Sequence, residues 1–177
     1  FVEFFNSKGQ YALLILLLIS TYRITDITMA VMANPFYLDL GFTKTNIADV
    51  TKIFGFFLTI TGAALGGVMV MRFGTMRMML VGGVLVILTN LLFAMVSTMG
   101  ANIAMLAAVI GADSLAGGIS ISVFIAYLSS LTNKAYTATQ YALFSSLMTL
   151  FPKIIAGFSG VVVDAYGYLV FYIYTSL

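Results

Sequence analysis

Cysteine, histidine and tryptophan are absent from the 177 residues, proline occurs only twice, and charged residues make up 8% of the chain. Without cysteine or histidine there is no thiolate, no zinc-finger ligand set and no Ser-His type of catalytic site. No metal or redox cofactor is suggested. No glycine loop of the Walker kind is present, which disfavours a nucleotide-driven pump. The formal net charge is +2 and scattered, with no basic patch to offer nucleic acid. A soluble domain carries about a quarter charged residues, and so few charges cannot cover a water-facing surface.

What the chain has instead is apolar length, with 62% hydrophobic residues. Apolar segments long enough to span a bilayer run over residues 10–33, 45–71, 78–97, 102–131 and 137–163. With no water to satisfy backbone groups such segments are helical, and they lack the strict alternation of barrel strands. The fold class expected is therefore an all-α membrane protein. The last apolar stretch, residues 168–177, would be about 15 Å long as a helix, half of a hydrocarbon core. Together with a first residue, Phe1, that is not Met, this reads as a fragment with five complete spans and the start of a sixth.

Lys8, Arg72, Arg77 and Lys134 fall on one side of these spans. Lys44 and Lys52 fall on the other, accompanied by Asp39, Asp49 and Asp164. The bias places the N-terminus and the Arg72–Arg77 loop in the cytoplasm. Tyr11, Tyr37, Tyr136, Tyr166 and Tyr168 lie near segment ends, as interfacial anchors would.

Four charges fall inside apolar segments: Arg23, Asp26, Asp113 and Lys153. Each costs at least about 2.5–3.5 kcal/mol at a helix centre. All four count to mid-membrane depth, the level at which secondary transporters hold substrate and coupling ions. Arg23 and Asp26 share a helix face and form either a self-neutralising pair or a tuned ligand site. Asp113 either pairs with Lys153 or stands as a proton site, since a carboxyl shielded from water exchanges its proton nearer neutrality. Pro152 beside Lys153 suggests a kinked cavity wall. Gly62 and Gly66 have the GxxxG spacing that lets helix backbones approach closely. The first, fourth and fifth segments carry the buried charge and are expected to face a cavity, the third and sixth to face lipid.

Gly67, Arg72 and Gly74 match the cytoplasmic loop signature G-x-x-x-D-R-x-G of the major facilitator superfamily, with Met71 in the acidic position. An Asp-mediated gating contact there is absent or altered. Residues 34–55, 114–118, 126–133 and 136–146, with the Y-R-x-x-D pattern of Tyr22 to Asp26, resemble the muropeptide permease AmpG family over nearly the whole chain. The resemblance implies a C-terminal major facilitator half bundle, helices seven to eleven and the beginning of twelve, whose partner is an N-terminal six-helix half. It implies proton-driven import of anhydro-muropeptides across the bacterial inner membrane for peptidoglycan recycling, with no enzyme activity and no cofactor. Asp26 and Asp113 would then couple protons, and Arg23, Lys52 and Lys153 would meet substrate carboxylates. Gln140, Tyr136, Thr137 and Tyr141 would supply polar contacts or a cytoplasmic gate. Two alternatives stand beside this reading: a non-transporting product of a split gene, and a related carrier for another anionic solute.

Overall fold

The computed structural model describes residues 9–99, 102–132 and 137–176. Among these residues every regular element is helical. A 3-10 turn (Gly9–Tyr11) leads into α1 (Ala12–Thr21) and α2 (Ile24–Asp39). Then follow α3 (Lys44–Asp49), a π-helical stretch (Val50–Gly55), α4 (Phe56–Phe73), α5 (Thr75–Met99), α6 (Ile103–Leu131), α7 (Thr137–Ala156) and α8 (Ser159–Thr175). Lys8, Lys134 and Tyr136, invoked above, lie outside the described residues, as does the side chain of Thr137.

Among the described residues, four continuous or nearly continuous helices are long and apolar enough to cross a bilayer: Ala12–Asp39, Lys44–Phe73, Thr75–Met99 and Ile103–Leu131. The pair formed by α7 and α8, bent by 68°, makes a fifth if it counts as one span. The expected division into a fifth helix over 137–163 and a sixth from 168 differs from this. Helix α7 stops at Ala156, past Pro152, and the chain turns at Gly157–Phe158, where Phe158 N–H closes a tight bond to the Ile155 carbonyl (3.0 Å). The expected boundary near 168 survives only as a kink inside α8, where Gly167 takes φ 78°.

The first span also departs from expectation. It is broken in its middle at Tyr22–Arg23 and then runs on through Pro35 to Asp39, instead of ending at 33. A proline inside a helix removes one backbone bond. Here Phe36 and Tyr37, directly after it, are buried among Phe93 and Tyr172, so tertiary packing outweighs the local preference.

Packing falls into two apolar cores. One gathers Met29, Phe36, Phe42, Phe93, Leu106, Ile110 and Phe171. The other gathers Ile19, Met78, Ile119, Phe124, Leu128 and Phe144. Along α1–α2 the sequence passes from Ile19 in the second core to Met29 in the first, and Arg23 and Asp26 lie between them. Along α6 Asp113 lies between Ile110 and Ile119 in the same way. The charged layer is thus sandwiched between two greasy ones. On the outside, large apolar side chains such as Phe57, Met71, Leu80 and Val161 are exposed along the helices, a surface that suits lipid and not water.

The tightest helix pair is α4 with α6. A Cβ at Gly62 would land on the Leu115 carbonyl, and one at Gly66 would lie 2.9 Å from the Ile119 carbonyl oxygen. In return Gly118 of α6 meets the backbone of Thr59 and Ala63. The GxxxG spacing therefore packs against the backbone of α6 at Leu115 and Ile119, and Gly118 returns the close approach against α4.

Candidate functional site

The break at Tyr22–Arg23 is held in place by Tyr22. Its hydroxyl donates to the Met79 carbonyl (3.0 Å) and accepts from Ser120 Oγ (3.4 Å), while its ring stacks on Phe124 at 4.8 Å. Arg23 sits at the break with φ −103° and ψ 7°, and α2 starts at Ile24. Asp26 consequently lies in the first turn of a new helix, where the positive end of the helix dipole favours an anion. Discontinuous helices at mid-membrane are a construction used by secondary transporters for their binding sites.

Arg23 Nη2 is 3.5 Å from Asp26 Oδ2, and both side chains are largely buried. The pair is local, but it does not satisfy the arginine. Nε and Nη1 of Arg23 are buried and have no partner. Two open donors on a guanidinium out of water are costly unless a ligand or water meets them. On α6, Asp113 Oδ1 lies 3.0 Å from Thr89 Oγ1, which is equally close (3.0 Å) to the Val86 carbonyl. One hydroxyl proton serves one acceptor at a time, so Thr89 can support Asp113 or turn away from it.

These groups share one cavity of about 340 Å3. Arg23, Asp26 and Tyr37 line it from α1–α2, Thr59 from α4, and Asp113, Ser114 and Gly118 from α6. Three of the four mid-membrane charges are therefore brought together. The fourth is not. Lys153 stands exposed on α7, does not line this cavity and makes no ion pair with Asp113, so the pairing weighed from the sequence is absent among the described residues. Pro152 beside it is buried, which turns the lysine to the other side of the helix.

Lys52 is exposed in the π-helical stretch and lines a separate cavity of about 370 Å3 with Asn34, Lys44 and Thr51. Gln140 is buried and Tyr141 packs on the second core, both away from the Arg23–Asp113 cavity. In the loop signature, Gly74 takes φ 83° at the end of α4, a backbone state that favours glycine, and Arg72 is exposed in the last helical turn. Gly67 has ordinary room, its Cβ position lying 3.7 Å from Ser122 Oγ, so close packing does not require glycine there.

Three site features have no clear signal in the sequence. Tyr37 reads as an interfacial anchor but is 4% exposed and faces the cavity. Thr89 reads as one more helix residue in the most apolar segment. The π-helical turn places Gly55 so that a Cβ there would lie 3.2 Å from Ser114 Oγ, beside the cavity wall. Stretches of π-helix are rare and frequent at functional sites.

No family model matches the chain. It is similar to "Putative transporter AmpG 1" of Rickettsia bellii, 34% identical over 168 residues, which is 95% of this chain and 41% of that protein. It is similar to "Putative transporter AmpG 4" of Rickettsia conorii, 30% identical over 175 residues, 99% of this chain and 42% of the relative. "Putative transporter AmpG 1" of Rickettsia prowazekii is 34% identical over 169 residues, 96% of this chain and 38% of its own length. The chain thus spans about two fifths of the relatives it matches.

Proposed function

From the premise that the chain is a homologue, along nearly its whole length, of the transporters named AmpG, we propose that it forms the C-terminal half of a proton-coupled anhydro-muropeptide importer. In this reading it is a major facilitator half bundle in the bacterial inner membrane, completed by an N-terminal six-helix half. The observation that carries it is the cavity at the broken first span, where Arg23, with two open donors, lines the same space as two carboxyls, Asp26 and Asp113. A transporter of an anionic solute driven by protons needs this combination. The cation receives the cargo's carboxylate, and the carboxyls alternate between charged and neutral so that the loaded and empty carriers differ in charge. The half-helix break gives the site a hinge, and the glycine-packed pair α4–α6 gives a rigid wall behind it. Peptide carboxylates of a muropeptide fit the open guanidinium; the sugar hydroxyls have Ser114 and Thr59 within the same cavity. Lys52 and Lys153, which do not line this cavity, are left without a part in carboxylate binding here.

The test is uptake of radiolabelled N-acetylglucosaminyl-anhydro-N-acetylmuramyl peptide by vesicles carrying the full-length product of the gene. Arg23→Gln should raise KM about 10- to 100-fold, the value of a charge-assisted hydrogen bond. Amidating the peptide's carboxylates should weaken uptake by the parent similarly and add little to the loss in Arg23→Gln. Equal sensitivity of parent and variant to amidation would remove Arg23 from the carboxylate site. No uptake of the muropeptide by the parent would end the reading.

A further inference from the structure

Apart from Arg77 near its start, α5 carries no charged residue, and it meets the central site through a hydroxyl. Its buried residues Gly82, Val86, Thr89 and Phe93 recur at the three- and four-residue spacing of one helix face. That face lies antiparallel on α6. Gly82 meets Ser120, whose Cα is 3.4 Å from the ideal Cβ position, and the Tyr22 hydroxyl sits against the same glycine at 2.9 Å. From Gly82 on to Thr89, and from Ser120 back to Asp113, is the same distance of about two helical turns. The close packing at Gly82 therefore puts Thr89 opposite Asp113.

Thr89 is 5% exposed, and its Oγ1 has two acceptors at 3.0 Å, the Val86 carbonyl and Asp113 Oδ1. Thr21, Thr59 and Thr61 each turn the hydroxyl to a carbonyl of their own helix at 2.8 Å. Among the described residues Thr89 is the one threonine that also meets a carboxylate, and it is the one hydrogen-bond partner of the Asp113 side chain. No ion pair holds Asp113 among those residues.

We propose that Thr89 is the positioning residue of the proton site, its hydroxyl turning with the proton on Asp113 so that the carboxyl has a partner whether charged or neutral. The assignment rests on the proton-coupled reading above and adds a group that does not itself carry the proton. While Asp113 is charged, the Thr89 hydroxyl donates to Oδ1. When a proton adds to Oδ1, the new O–H donates to Thr89 Oγ1, and the hydrogen of Thr89 swings to the Val86 carbonyl. The one bond made is the O–H on Asp113; the O–H of Thr89 turns about its C–O bond and stays intact. Neither helix has to move. The titratable groups around Asp113 are Arg23, Asp26 and Tyr37, which line the same cavity, with Tyr172 of α8 in electrostatic reach; α4 contributes the neutral Thr59. A buried carboxylate that loses its one donor is left unmet, which disfavours the charged form and stalls the alternation that coupling needs.

Thr89→Val and Thr89→Ser separate this role from packing. Valine keeps the branched shape without the hydroxyl, and serine keeps the hydroxyl without the methyl. Accumulation of radiolabelled anhydro-muropeptide is measured in energised vesicles carrying the full-length protein, and exchange in de-energised ones. Thr89→Val should accumulate about tenfold less than the parent, or lower still, the scale of a hydrogen bond to a charged group. Its exchange rate should stay near the parent's, and Thr89→Ser should accumulate nearly as the parent does. Thr89→Ala, which also lacks the hydroxyl, carries the test if Thr89→Val folds poorly. Parent-like accumulation without the hydroxyl, or a serine variant as impaired as the valine one, would overturn the assignment and leave the proton-coupled reading intact. A parent that never accumulates muropeptide would overturn both.

Discussion

Asp113→Asn is expected to abolish accumulation of muropeptide against its gradient while equilibrative exchange continues. Asparagine keeps the size of the side chain and the acceptor oxygen that Thr89 meets at 3.0 Å, so the local fold has no reason to change. What it cannot do is alternate between charged and neutral forms. In a carrier whose return step requires a different charge from its loaded step, that alternation couples the two gradients. Removing it leaves a facilitator. The accumulation ratio should fall by about a hundredfold or more, the scale of losing a positioned proton carrier, and the exchange rate should stay near that of the parent. Asp26→Asn is a poorer probe, because it also strips Arg23 of the one partner its guanidinium has in the structure. The measurement is steady-state uptake in energised vesicles, set against exchange in de-energised ones.

Gly118→Leu is expected to prevent assembly of the bundle. Atoms added at this position would run into backbone, the Thr59 carbonyl and the Ala63 nitrogen (2.9 Å from the ideal Cβ), and backbone cannot rotate out of the way. Helices α4 and α6 would have to separate, and the close approaches at Gly62 and Gly66 would open with them. Overpacking costs about 1–3 kcal/mol where side chains can yield and more where they cannot, against a total stability of about 5–15 kcal/mol. The cavity would be lost as well, since Gly118 forms part of its wall. Gly83→Leu is the control, because a Cβ there meets nothing within 4 Å. The folded, monodisperse fraction in detergent should collapse for Gly118→Leu and stay near the parent's for Gly83→Leu.

The spans were legible because the bilayer allows one solution for an apolar backbone, and composition alone reports that constraint. Arg23, Asp26 and Asp113 stood out because an ion in hydrocarbon is costly wherever the helices pack, and the structure gathers those three. Gly62 and Gly66 were legible as a spacing, whereas the matching close approach of Gly118 to Thr59 and Ala63 became visible only in three dimensions. Other features depend on contacts between distant segments, which local pattern does not encode. Pro35 reads as a helix end, yet the burial of Phe36 and Tyr37 against Phe93 and Tyr172 carries α2 past it. Tyr22 and Ser120, 98 residues apart, meet at the break in the first span, which no run of apolar residues announces. Lys153 shares a depth with Asp113 but not a direction, because depth follows from counting residues whereas direction depends on how α7 is rotated. Tyr37 reads as an anchor by its place near a segment end, yet the packing of α2 buries it beside the cavity.

The most direct test of the central claim is the accumulation ratio of radiolabelled anhydro-muropeptide in right-side-out vesicles carrying the full-length product, measured with an imposed inward proton gradient and again after an uncoupler. The proton-coupled account predicts an internal concentration well above the external one, falling to equality when the gradient is collapsed. Accumulation that is indifferent to the uncoupler, or uptake that never exceeds equality with the gradient in place, would contradict it.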